Sequence, residues 1–354
     1  MNNEPTDTNP ASDTPENPAE NPAPVEAYTP YTAPSPKRVK MAPFEGAKPY
    51  AQLLIFLGLT LISIFVLMII LLMMQATGKV NLLVLDSSNT YSDPDVLKVL
   101  KVLQIISSIV IFILPVFVFV LMATRKRLAF LQVNKIGKFS ILFIGGLLMI
   151  FGSPLINYLS EINSHMQFPQ WMHGVEQWMK DSQTKDDVLT AAFINHQTFY
   201  DLIVNLIMIA LVAAISEELF FRGVMQKILI KMTKNTHAGI WITGIVFSAI
   251  HVQFYGFLPR MLMGVYLGYL LVWSGSLWVT IFAHFINNGA AVVFAYLEER
   301  KKIPASIDSI GSNGSEIWYV IGSTAIVILL LFALYKLSAK KNDFSLATQG
   351  NILS

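Results

Sequence analysis

Cysteine is absent from the 354 residues. That excludes disulfides and thiolate metal sites. Charge is scarce too: Asp, Glu, Lys and Arg together make up 14% of the chain, against about 25% in ordinary soluble domains. The first 36 residues contain no Lys or Arg and no apolar signal-peptide core, but hold nine prolines and six acids. Such a composition cannot build a core, so residues 1–48 are expected to form a disordered, Pro- and acid-rich cytoplasmic tail. No His-Glu-x-x-His pattern is present to impose a zinc site.

What the chain has in quantity is apolar surface. Hydrophobic residues make up 54% of it, and the mean hydropathy is +0.54. Runs of roughly 20 apolar residues, enough to span a bilayer, recur at about 51–75, 102–123, 139–159, 202–226, 238–256, 258–273, 276–296 and 317–337. The expected fold is therefore all-α: a polytopic bundle of about eight transmembrane helices over 49–341, with a short tail at 342–354. The basic loop from Arg125 to Lys138 should face the cytoplasm under the positive-inside rule. Alternation from there places both termini inside, with 15 of the 25 Lys and Arg on that side. A plasma (inner) membrane location follows. In the long outer loop 157–198, Trp171, Met172, Val175, Trp178 and Met179 recur at helical spacing. That pattern suits either a helix lying at the membrane surface or one packed against the outer mouth.

Of the 23 acidic residues, only Glu217 and Glu218 lie deep within a long hydrophobic segment. A carboxylate in hydrocarbon costs at least a few kcal/mol and marks a functional site by default. Glu218 and Arg222 are spaced i,i+4 and can pair, whereas Glu217 is turned about 100° away and stays available for chemistry. Two further apolar spans carry Phe247 with His251, and His284 with Asn288, at the same spacing. A rise of 1.5 Å per residue puts Glu217 and His251 at ~21 Å and His284 at ~14 Å from the cytoplasmic ends of their spans, close enough to share one layer.

A carboxylate and an imidazole can hold and deprotonate a water. A second imidazole and an amide can stabilise the oxyanion of a cleaved peptide bond. Alternatively, Glu217, His251 and His284 could ligate zinc, leaving a fourth position for water. With no thiolate and no second free carboxylate, the metal-free form, requiring no cofactor, is favoured.

Glu217-Glu218-x-x-x-Arg222, Phe247-x-x-x-His251 and His284-x-x-x-Asn288, in that order, resemble the CPBP intramembrane protease family. That family includes the CAAX prenyl proteases and the bacteriocin-processing and immunity (Abi) proteins. Gly264-Val-Tyr-Leu-Gly268 and Ser274-Gly-Ser-Leu-Trp278 are also similar, and the likeness covers about 200–296. It implies an intramembrane endopeptidase, glutamate-dependent or metal-dependent, in which Glu217 and His251 activate water. His284 and Asn288 would form the oxyanion site, with Glu218, Arg222 and Phe247 in support. The expected partners are the lipid bilayer and a peptide or membrane-protein substrate, and nucleic acid is not among them. The alternatives are a non-catalytic binding or immunity protein of the same fold and a proton-coupled transporter, for which no inverted repeat is visible.

Overall fold

The structure, a computed structural model, describes residues 42–78, 91, 93–166, 168–194, 198–304 and 309–339. Of the expected tails at 1–48 and 342–354, residues 1–41 and 342–354 lie outside the described residues, while 42–48 are described and include a turn at 43–46. Every regular element among those described is helical.

Helix α1 (Pro49–Ala76) has proline in its first turn, where the missing N–H costs nothing. Helix α2 (Pro94–Ala123) starts the same way, and the Asp93 carboxylate caps it by accepting from the Asp95 amide. A short helix, α3 (Arg127–Leu131), follows in the basic loop. Helices α4 (Phe139–Phe151) and α5 (Ser153–Ser164) meet at a 46° bend. Gly152 and Pro154 stand at that break and account for it. Helix α6 (His173–Ile194) forms in the outer loop. The 35-residue α7 (Phe199–Thr233) is central and carries the acidic pair. Helix α8 (Thr236–Ala249) is followed by α9 (Phe257–Ser274), α10 (Leu277–Glu299) and α11 (Ile317–Ala339).

Among the described residues six helices are long and apolar enough to cross a membrane, or seven if the bent α4–α5 pair is one span. The difference from about eight lies at 238–256. Helix α8 stops at Ala249 after 14 residues, about 21 Å. Residues 250–253 then leave the helix, and a short 3-10 helix, Phe254–Gly256, leads into α9, so His251 sits beyond the end of α8.

Three close approaches fix this part of the molecule. A Cβ on Gly264 of α9 would fall 3.1 Å from Gly244 Cα of α8, so the two backbones touch there. From α7, Arg222 Nη2 donates to the Gly264 carbonyl at 2.9 Å, and Gln226 Nε2 to the Gly268 carbonyl at 3.1 Å. Beneath the site, an aromatic cluster of Phe56, Phe119, Phe220, Phe221 and Phe247 ties α1, α2, α7 and α8 together.

Candidate active site

Helix α7 is not regular where it matters. Leu206–Val212 and Leu219–Met225 are π-helical, with i→i+5 hydrogen bonds, and the six residues Ala213–Glu218 between them are α-helical. Such bulges are frequent at functional sites.

Glu218 and Arg222 are both fully buried, and Arg222 Nη1 donates to Glu218 Oε1 at 2.7 Å. The pairing expected from their spacing is present. The same carboxylate oxygen also meets His284 Nδ1 at 3.0 Å. A carboxylate paired with a guanidinium accepts, so Nδ1 carries the proton and Nε2 is turned toward Glu217. Glu218 is thus bound to an imidazole as well as to the helix-supporting arginine, which the sequence did not suggest.

Glu217 has no such close partner. His284 Nε2 stands 3.9 Å from its Oε2, and its side chain keeps 15% exposure. It opens onto a cavity of about 320 Å³ whose wall also contains Phe247, His251, His284 and Asn288. Glu217, Phe247, His251, His284 and Asn288 therefore come together, while Glu218 and Arg222 lie behind them.

His251 is held by its Nδ1, which donates to the Phe247 carbonyl at 2.7 Å. The Phe247 ring lies 5.0 Å from the His251 ring and 6.0 Å from that of His284, with the Arg222 guanidinium 4.8 Å from its centroid. It packs between both histidines. The turn that carries His251 is pinned from outside: Asn163 Nδ2 donates to the Phe254 carbonyl at 2.7 Å, and its Oδ1 accepts from the Leu258 amide at 2.9 Å. Ser248 Oγ donates to the Phe257 carbonyl at 2.7 Å. Val252, next to His251, takes φ 55°, in the left-handed region that a β-branched side chain avoids.

Asn288 Nδ2 donates to the Ile209 carbonyl, in the first π-helical stretch, at 3.1 Å. Its Oδ1 accepts from Asn287 Nδ2 at 3.1 Å. One amide N–H of each asparagine is left over. Asn287, Ser160 and Arg260 also line the cavity, and the sequence reading passed over all three. No helical spacing ties Arg260 to the histidines.

Among the described residues, no group of three or more His, Asp or Glu could hold a metal ion.

Residues 199–290 match the family model described as type II CAAX prenyl endopeptidase Rce1-like. That stretch holds all seven motif residues. Over 86 residues the chain is 33% identical to the uncharacterized protein YpbD of Bacillus subtilis (strain 168). The match covers 23% of this chain and 41% of that protein, so it spans less than half the relative's length. No solved structure matches the chain.

Proposed function

We propose that this multi-pass membrane protein is an intramembrane endopeptidase in which Glu217 activates the attacking water. The observation that carries the reading is the unequal commitment of two adjacent acids. Glu218 is held by Arg222 and His284, whereas Glu217 faces the cavity with no hydrogen-bonded partner among the described residues. The match of residues 199–290 to a prenyl endopeptidase family supports the reaction class.

Water held between Glu217 and His251 Nε2 gives a proton to Glu217 as its oxygen adds to the peptide carbonyl. The oxyanion is stabilised by the spare Asn288 N–H and by His284 Nε2. For His284 to donate, Nε2 must carry a proton, and Glu217, 3.9 Å away, is the group that can supply it. The same proton leaves on the departing amine as the C–N bond breaks. No step needs a metal. Both termini face the cytoplasm, and the inner membrane is the proposed location.

The test compares membrane-peptide profiles, by mass spectrometry, of cells carrying wild type and Glu217→Ala at equal protein level. Peptides that disappear with the glutamate identify products. Identical profiles would return the protein to the non-catalytic reading.

A further inference from the structure

Among the described residues that line the Glu217 cavity, Arg260 is the only Lys or Arg. It sits in the first turn of α9, half-buried, and its guanidinium is held to the His251 turn. Nη1 donates to the Gln253 backbone carbonyl at 3.3 Å, and Nη2 donates to the Gln253 side-chain carbonyl. A guanidinium has five N–H groups in a rigid fork, so three stay uncommitted among the described residues. Glu217 and Asp186 are the acids whose charge reaches it, yet neither forms an ion pair with it. A cation fixed at one wall of a cavity, with spare donors and a base on another wall, is prepared for an anion. In an unmodified peptide the only anions are carboxylates.

We propose that Arg260 is a specificity residue that receives a carboxylate of the peptide substrate, from its C-terminus or from an acidic side chain close to the cleaved bond. The proposal rests on the hydrolase reading above. With the carboxylate seated on Arg260, the adjoining peptide bond is delivered toward Glu217 and His251. Gln253 is the positioning residue that aims the fork.

The test uses full-length protein in liposomes and a randomised peptide library made twice, with free and with amidated C-termini. Products are read by mass spectrometry against a Glu217→Gln control. The best-cleaved sequences are then remade with Asp and Glu changed to Asn and Gln. Loss of the recognised carboxylate should raise KM by about 10–100-fold in wild type, with kcat little changed. Arg260→Gln should abolish that preference, and Arg260→Lys should retain part of it. A penalty in the amide arm identifies the C-terminus as the source; a penalty in the Asn/Gln arm identifies a side chain. Equal cleavage of charged and neutral forms by wild type overturns the proposal. So does an Arg260→Gln variant that loses kcat equally on all forms, which would make Arg260 a partner of Glu217 or of the fold. If no Glu217-dependent product arises at all, the hydrolase reading falls, and the proposal with it.

Discussion

Glu217 and Glu218 are chemically identical neighbours held in different surroundings. Glu218 Oε1 accepts from Arg222 and from His284, so removing it strands two donors. Glu218→Gln or Arg222→Met alone should sharply lower folded yield, since breaking a buried pair costs about 3–5 kcal/mol. The double substitution removes both charges together and should recover much of that yield, because no lone charge is left buried. Activity should not return, since His284 would have lost its anionic acceptor. Detergent-stable protein by size-exclusion chromatography, measured beside product formation, checks both parts. A double variant that folds and turns over normally would show that Glu218 does not serve His284. The spacing of four residues made the Glu218–Arg222 contact legible in the sequence. The Glu218–His284 contact joins α7 to α10 across 66 residues, and no periodicity within one helix encodes such a crossing.

The turn between α8 and α9 shows where reading by hydropathy fails. The apolar run continues past Ala249, so composition alone extends a helix to residue 256. The chain leaves the helix because Asn163 and Ser248 bond the backbone of Phe254, Phe257 and Leu258, and because Val252 takes φ 55°. Both bonding residues are ordinary in sequence, and their effect depends on what packs beside them. A non-glycine residue held in such a region stores of order 1–3 kcal/mol. Val252→Gly should relieve that strain and leave the melting temperature at or above that of wild type, while turnover falls as His251 loosens. Thermal unfolding and product formation on the same preparation test it. A variant that is both less stable and fully active would show that the turn is neither strained nor needed. The outer helix was legible by contrast, because its Trp and Met spacing is local. Met179 is buried and Trp178 stands 5.5 Å from Phe254, so α6 packs on the same turn, while Trp171 is 82% exposed.

For the molecule as a whole, the absence of cysteine gives a clean background for mapping orientation. Ile136, 74% exposed in the basic loop, and Thr184, exposed on α6, tolerate a probe without disturbing a buried contact. A cysteine replacing Ile136 should react with a membrane-impermeant maleimide only from the cytoplasm, and one replacing Thr184 only from outside. Labelling with the reverse sidedness would invert the arrangement. The helix α8 also has a consequence for the lipid around it. At about 21 Å it is shorter than a hydrocarbon layer of ~30 Å. A segment too short for its bilayer is matched by local thinning, at fractions of a kcal/mol per Å. Were a bilayer to match α8 in this way, the annulus of lipid beside it would be drawn inward and the water boundary would dip toward His251. Hydrolysis would therefore depend on acyl-chain length: in liposomes of longer-chain lipid the dip costs more, and turnover should fall while peptide affinity for the membrane is unchanged.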